Sequence, residues 1–196
     1  MSKATTPLLG VILAGGQSSR MGIDKATLAI AGTTLLEFMR AKLQAAGIDE
    51  IVICRNAAGY LNDDIPQLGP LGALYTLSRR YPGRRAIIIP VDMPLLNTAT
   101  LQTLQAAASH GDVALTFGRQ ILPLYLPFTA LVNNALRQRV KQRDDLSLAA
   151  LLRETGAQRL NNFDNNNDDE QFLNANTPQQ WQAILSRVNA LPNEAH

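Results

Sequence analysis

Two adjacent glycines and two cations lie close together near the amino terminus. Gly15 and Gly16 are followed in the same segment by Arg20 and Lys25. Glycine lets the backbone approach a ligand closely and turn its N–H groups toward an anion, and the two side chains add positive charge. This combination predicts a loop that binds phosphate groups. Its spacing is neither that of a Walker loop nor that of a dinucleotide fingerprint.

A carboxylate follows the most apolar segment of the chain. Asp92 comes shortly after three consecutive isoleucines, Ile87 to Ile89, in the sequence Pro90-Val91-Asp92-Met93-Pro94. Mg²⁺ is often held by one or two carboxylates, with phosphate oxygens of the substrate completing its ligand shell. We therefore predict that Asp92 is a metal ligand.

Apolar runs and helical patterns alternate along the chain, and this order predicts where the glycine-rich segment and Asp92 lie in the fold. The runs predicted to be buried strands are Leu8 to Leu13, Ile51 to Cys54, Ala86 to Val91 and Val113 to Phe117. Strands that alternate with helices indicate a three-layer α/β/α, Rossmann-like fold with a mostly parallel sheet. Ligands of such sheets bind beyond the carboxyl ends of the strands. The glycine-rich segment and Asp92 should therefore meet at one edge.

The end of the chain predicts a short strand near Phe172 and a final helix. Pro178 suits the first helical position, and Gln180 has the spacing of a side chain that reaches back to the helix start. The Asn-rich segment 161–170 is predicted to be a surface insertion. We expect one domain over residues 1–196, because this length suits a single core.

Composition excludes several classes of protein. The net charge is only +2, with no dense block of Lys or Arg, so neither a nucleic-acid nor a membrane partner is expected. The single cysteine, Cys54, cannot form an intrachain disulfide, and the first apolar run is too short to span a bilayer. These features favour a cytoplasmic protein.

The segment from Leu13 to Lys25 resembles the signature loop of the molybdenum cofactor guanylyltransferase family. The Asp-x-Pro at Asp92 and the Asn-x-Asn-Thr-Pro that begins at Asn174 are also similar to elements of that family. The resemblance implies a Rossmann-like nucleotidyltransferase that uses Mg²⁺ and transfers GMP from GTP to molybdopterin. It also implies contacts with molybdopterin-synthesis proteins or apo-molybdoenzymes.

The resemblance further implies a role for each matching residue. Catalysis is assigned to Arg20, Lys25 and Asp92, with Asp92 as the metal ligand. The nucleotide-binding residues implied are Leu13, Ala14, Gly15, Gly16, Lys25, Asn56, Asp64, Gly69, Pro70 and Leu71. Asp63 is an alternative to Asp64. Asn174 and Asn176 are assigned to the molybdopterin side.

Two other functions fit the same residues. One is the sister cytidylyltransferase activity, which uses CTP and the same acceptor; the glycine at position 15 favours the guanylyl branch, because relatives that use CTP tend to have alanine there. The other is a non-catalytic binding module of the same fold. Retention of Arg20, Lys25 and Asp92 together argues against the second alternative.

Overall fold

A six-stranded sheet forms the centre of the part of the chain that the computed structural model describes, namely residues 7–15, 24–108, 111–160 and 168–190. The strands in chain order are β1 (Leu9–Leu13), β2 (Ala29–Ile30), β3 (Thr33–Thr34), β4 (Ile51–Cys54), β5 (Arg85–Pro90), β6 (Leu115–Phe117), β7 (Leu124–Pro127) and β8 (Gln158–Leu160). The main sheet has the order β4-β1-β5-β7-β6-β8, and β2 pairs with β3 in a separate hairpin. Only β7 runs antiparallel to its neighbours in the main sheet. The predicted mostly parallel α/β fold is confirmed.

Helices cover both faces of this sheet. They are α1 (Leu35–Ala45), α2 (Gly69–Arg80), α3 (Thr98–Ala108), α4 (Ala130–Gln142), α5 (Leu148–Glu154) and α6 (Pro178–Ala190). Ile87 and Ile89 belong to one buried cluster together with residues of α1, α3 and α6, whereas Ile88 belongs to a second cluster with residues of α2, α4 and α5. Successive side chains of a strand point to opposite faces, so a strand covered on both sides needs the unbroken apolar run that the sequence has.

Local signals set the ends of two helices that flank the site. Thr34 Oγ1 accepts a hydrogen bond from the Glu37 N–H at 3.3 Å and so caps α1, while Gly47, with a φ of +83°, ends it. At α6, Gln180 does reach back, because its side-chain oxygen accepts from the Asn176 N–H at 2.9 Å. The spacing of Thr34 and Glu37 in the sequence predicts the start of α1 as that of Pro178 and Gln180 predicts the start of α6, and both are confirmed.

The structure corrects one prediction near the carboxyl end. Residues Asp168–Phe172 form a 3₁₀ helix and not a strand. Phe172 is buried there, with its ring centroid 6.4 Å from that of Phe117, and Gln171 accepts a hydrogen bond from Thr100 Oγ1 at 2.6 Å. A single apolar residue does not define a strand period, so packing against α3 and β6 decides the conformation.

No helix among the described residues has the length and apolar character that crossing a membrane requires.

Candidate functional site

The carboxyl ends of three neighbouring parallel strands meet at one edge of the sheet. Leu13, at the end of β1, pairs with Cys54 of β4 on one side and with Pro90 of β5 on the other. Two backbone hydrogen bonds extend this pairing past the strands, from Ala14 N to Cys54 O at 2.9 Å and from Val91 N to Leu13 O at 3.0 Å. The segments after β1, β4 and β5 are therefore held side by side. We call this side of the sheet the carboxyl edge.

The first part of the glycine-rich loop passes close to the end of β4. A Cβ added to Gly15 would lie 3.5 Å from Cys54 O and 3.6 Å from Arg55 Cα, so a larger side chain would fill the space between the two segments. Glycine leaves the backbone here accessible to a ligand. Gly16 and Arg20 lie outside the described residues, and their predicted roles stay predictions.

Lys25, Asp92 and Asn176 form a hydrogen-bonded cluster at the carboxyl edge, which we call the lysine cluster. The ammonium group of Lys25 donates to Asp92 Oδ2 at 2.8 Å and to Asn176 Oδ1 at 2.6 Å. The side chains of Lys25 and Asp92 are 16% and 19% exposed. The structure thus brings together one residue from each of three segments that the sequence had singled out.

Hydrogen bonds that involve the backbone position two members of the lysine cluster. Lys25 begins a 3₁₀ turn, Lys25–Thr27, whose cap is Asp24: Oδ1 of Asp24 accepts from the Ala26 N–H at 3.0 Å. The backbone of Asp92 is fixed from the other side, because its carbonyl accepts from the Ala175 N–H at 2.9 Å. Ala175 is fully buried. The segment before α6 therefore contacts the residues that follow β5.

An ion pair that was not predicted from the sequence connects the Lys25–Thr27 turn, through its cap Asp24, to the residue that follows β4. Arg55 donates a hydrogen bond to Asp24 Oδ2, and its guanidinium lies 5.2 Å from the ring centroid of Tyr60. Arg55 is the first residue after β4, a position from which a side chain can reach the carboxyl edge. That position was the available signal, although only the next residue, Asn56, was predicted to lie near the nucleotide.

Asn56 and Asp63 form a second polar pair at this edge. The Asn56 side-chain amide donates to Asp63 Oδ2 at 2.9 Å, and Asn56 Oδ1 accepts from the Asp63 N–H at 2.8 Å. A Cβ added to Gly72, in the first turn of α2, would lie 3.7 Å from Asp63 Cγ. Asp63 therefore lies beside the start of α2.

Asp64 is not brought to the same place. Its carboxylate pairs with Arg79 at 2.8 Å and with Arg80 at 3.3 Å, the two arginines that end α2. Its backbone N–H donates to Thr76 Oγ1 at 2.8 Å. Of the two acidic residues that the sequence left open, Asp63 is the one that contacts another predicted nucleotide-binding residue.

The Gly69-Pro70-Leu71 element, to which the resemblance assigns nucleotide binding, forms the first turn of α2. Gly69 adopts a φ of +59°, which glycine tolerates and most other residues avoid. Leu71 is fully buried in the core, backbone included, so the structure exposes no atom of this residue to a ligand at the helix start.

Three observations define what chemistry the site can do. Burial raises the pKa of the Cys54 thiol to about 12, so Cys54 is not a nucleophile at neutral pH. Among the described residues no three His, Cys, Asp or Glu side chains are grouped as a metal site. Lys25 is the one described side chain that donates to the Asp92 carboxylate. Asp92 accordingly fits a cation whose remaining ligands are phosphate oxygens, and does not fit an all-protein metal cage.

Comparison with known proteins gives the family. The family model of the MobA-like NTP transferase domain matches residues 10–161. A molybdenum cofactor guanylyltransferase of Xanthomonas euvesicatoria is 39% identical over 183 residues, which cover 91% of this chain and 95% of the relative. A probable molybdenum cofactor guanylyltransferase of Opitutus terrae is 32% identical over 169 residues, covering 79% of this chain and 84% of the relative.

Solved structures share the fold at lower identity. Molybdopterin-guanine dinucleotide biosynthesis protein A from Archaeoglobus fulgidus matches with a TM-score of 0.76 and 17% identity, covering 94% of this chain and all of the other. A Mycobacterium tuberculosis protein solved as a complex with manganese matches with a TM-score of 0.60 and 16% identity, covering 92% and 99% of the two chains. The matched family model and the two relatives together show that this chain belongs to the MobA-like NTP transferase family.

Proposed function

We propose that this protein transfers GMP from GTP to molybdopterin and releases pyrophosphate, as a step in molybdenum cofactor biosynthesis. The observation that carries the proposal is the Lys25–Asp92 pair, with Nζ and Oδ2 2.8 Å apart, at the same carboxyl edge of the sheet as the Gly15 backbone. A triphosphate needs backbone N–H groups, a cation and a metal-binding carboxylate within one small site. GTP and molybdopterin are proposed as the substrates because both relatives are named as molybdenum cofactor guanylyltransferases.

The reaction follows from where the charges lie. GTP binds with its triphosphate along the glycine-rich loop, where backbone N–H groups, Lys25 and Arg20 offset the negative charge. A phosphate oxygen of molybdopterin attacks the α-phosphorus and forms a new P–O bond. The bond from that phosphorus to the oxygen bridging to the β-phosphate breaks, and pyrophosphate leaves with the bonding electrons. Because the attacking oxygen is already anionic, no general base is needed, and the protein contributes position and charge.

Asp92 is the residue that would hold Mg²⁺. A bound Mg²⁺ ion would supply charge stabilisation on phosphate oxygens. Asp92 lies two residues after the buried strand β5, its backbone carbonyl accepts from the Ala175 N–H, and its carboxylate accepts from Lys25, so the residue is positioned before any ligand arrives. A cytoplasmic location belongs to the same proposal.

We assign the nucleoside end of GTP to the polar pair beside α2. Asn56 and Asp63 present amide and carboxylate groups next to the Gly69-Pro70 turn. Asp64 does not take this role in the proposal, because Arg79 and Arg80 engage both of its carboxylate oxygens. The sequence-based choice of Asp64 is thus replaced by its neighbour.

The acceptor is assigned to the opposite side of the lysine cluster. Asn176 contacts Lys25 directly, and Asn174 lies two residues earlier on the segment docked at the exit of β5. Molybdopterin must bring its phosphate to the α-phosphorus, so its site must adjoin the cation that neutralises the triphosphate. Contacts with molybdopterin-synthesis proteins or apo-molybdoenzymes are part of the same proposal, because its acceptor is molybdopterin.

The test is pyrophosphate release by purified protein with Mg²⁺ and intact molybdopterin, with GTP and CTP compared in parallel. We expect release with GTP and background release with CTP. Release with CTP alone would reassign the protein to the cytidylyl branch. Release with neither nucleotide would overturn the proposal in favour of a binding module.

A further inference from the structure

A chain of hydrogen bonds connects the first turn of α6 to the ammonium group of Lys25. Gln180 Oε1 accepts from the Asn176 N–H at 2.9 Å, and Asn176 Oδ1 accepts from Lys25 Nζ at 2.6 Å. We propose that Gln180 is a positioning residue: it holds Asn176 in place so that Asn176 and Asp92 together fix Lys25 toward the triphosphate. This inference rests on the proposed function, because it concerns the same site.

The ammonium group of Lys25 is held by two acceptors. A lysine carries a compact charge on a flexible four-carbon stem, so its ammonium group samples many positions unless it is bound. Asp92 alone would hold it at one point, 2.8 Å away, and Asn176 supplies the second. Two fixed acceptors preorganise the cation, which favours a site that binds charge without first rearranging.

Asn176 is itself held in place by hydrogen bonds to its backbone. Asn176 is exposed, so its side chain has no surrounding core to fix it. Its backbone is fixed by three hydrogen bonds: the preceding Ala175 N–H donates to Asp92 O at 2.9 Å, and its own N–H donates to Gln180 Oε1 at 2.9 Å and, more weakly, to Asn174 O at 3.2 Å. The backbone N–H of Gln180 is in turn bonded to Thr177 Oγ1 at 3.2 Å. Loss of the Gln180 side chain would remove the shorter of the two hydrogen bonds made by the Asn176 N–H.

An ordinary helix cap would give a different result. Reaching back to the residues before a helix is a common stabilising arrangement, and a residue with that role alone affects the stability of α6 and nothing else. Thr129 is a suitable comparison. Its Oγ1 caps α4 by accepting from the Val132 N–H at 3.3 Å, and it follows the antiparallel strand β7, so it lies at the opposite edge of the sheet.

The experiment compares Gln180→Ala with three other variants. Gln180→Glu keeps the acceptor, Gln179→Ala removes an exposed glutamine from the same helical turn, and Thr129→Ala removes a cap far from the site. Each protein is assayed for its dissociation constant for GTP with Mg²⁺ and no acceptor, for kcat/KM in pyrophosphate release, and for Tm.

We expect Gln180→Ala to lower kcat/KM for GTP by about fivefold and to weaken GTP binding by a similar factor, since one hydrogen bond of ordinary strength is lost. Gln180→Glu should restore values within about twofold of wild type, since a carboxylate at this position reaches back in the same way. Gln179→Ala should match wild type, and Thr129→Ala should lower Tm alone. In an Asn176→Ala background, Gln180→Ala should have no further effect on GTP binding, because Gln180 acts through Asn176.

Wild-type values for Gln180→Ala, or an equal loss of kcat/KM in Thr129→Ala, would overturn the positioning role. GTP binding without transfer by the wild-type protein would overturn the proposed function, while the comparison of dissociation constants would still decide the role of Gln180. If wild-type protein does not bind GTP, both proposals are wrong.

Discussion

The two ends of strand β5 each carry an ion pair, and the two pairs have different roles. At its start, Arg84 donates two hydrogen bonds to the Glu50 carboxylate, at 3.1 and 2.6 Å, and a third to Pro7 O at 3.0 Å. After its end, Asp92 accepts from Lys25 at 2.8 Å. The side chains of Arg84 and Asp92 are equally exposed, at 19% each. The exposure of the residue beside β5 therefore does not distinguish the pair that stabilises the fold from the pair assigned to chemistry, whereas the partners differ, since Glu50 is 46% exposed and Lys25 is 16% exposed.

The partners of each pair make the distinction. Arg84 is bonded to a side chain and to a backbone carbonyl, and so joins the starts of neighbouring strands. Lys25 and Asp92 come from segments that follow strands, beside a glycine-rich backbone, and Lys25 is shared with Asn176. Segments after parallel strands face the ligand side of the sheet, whereas segments before them do not. The comparison predicts loss of activity at one end of β5 and loss of stability at the other.

The largest effect is expected for Asp92→Asn. The substitution keeps the size of the side chain but removes the charge that holds a cation, so pyrophosphate release with Mg²⁺ and GTP should fall by about a hundredfold or more. The Tm should stay close to that of wild type. Asp49→Asn, at an exposed position before β4, is the matched control and should retain full activity. A fully active Asp92→Asn protein would remove the metal-site assignment.

Lys25→Ala is expected to have the next largest effect. Loss of one of the cations that bind the triphosphate should reduce kcat/KM for GTP by about tenfold or more, because backbone N–H groups continue to bind phosphate. The control is Lys42→Ala, whose ammonium lies 4.9 Å from the Phe38 ring on α1. Equal losses in both variants would mean that the effect comes from general charge and not from this position.

Arg84→Met should reverse the pattern. We expect the free energy of unfolding, measured with urea at neutral pH, to fall by about 1 kcal/mol, because a partly exposed ion pair and one backbone hydrogen bond are lost. The rate of pyrophosphate release should be unchanged. If Arg84→Met lowers the rate without lowering stability, the division of roles between the two ends of β5 is wrong.

The smallest effect concerns pH. The hydrogen bond from Arg84 lowers the pKa of Glu50 below its ordinary value of 4.5. A lowered carboxyl pKa gives stability that is fully present above the ordinary value and is lost as the pH falls through the folded value. The difference in unfolding free energy between wild type and Arg84→Met, under about 1 kcal/mol from this pair because Glu50 is half exposed, should therefore shrink between pH 7 and pH 3. A constant difference would show that the ion pair contributes nothing.

Much of the fold follows from local patterns in the sequence. The apolar runs of β1, β4 and β5 and the helix starts at Thr34 and Pro178 are local signals, and the structure confirms them. Strand β8, Gln158–Leu160, has no apolar run and exists because it pairs with β6. The direction of β7 likewise depends on pairing between strands, which a single sequence does not encode locally.

The site divides in the same way. The residue types after β1 and β5 predict a phosphate loop and a carboxylate, and the structure places Gly15, Lys25 and Asp92 at one edge. The pairing of Arg55 with Asp24 and the choice between Asp63 and Asp64 depend on side-chain contacts across a loop. Such contacts are set by packing and not by spacing along the chain.

The contact between Lys25 and Asn176 spans 151 residues, and this has a consequence for the order in which the protein is made. Ribosomes release the amino-terminal part of a chain first, and that part begins to fold before the rest exists. Every described strand precedes residue 174, so the residues of these strands and Asp92 have all been synthesised before Asn176 and Gln180. The contact of Lys25 with Asp92 can therefore form before its contact with Asn176, and binding of the segment before α6 is the step that completes the site.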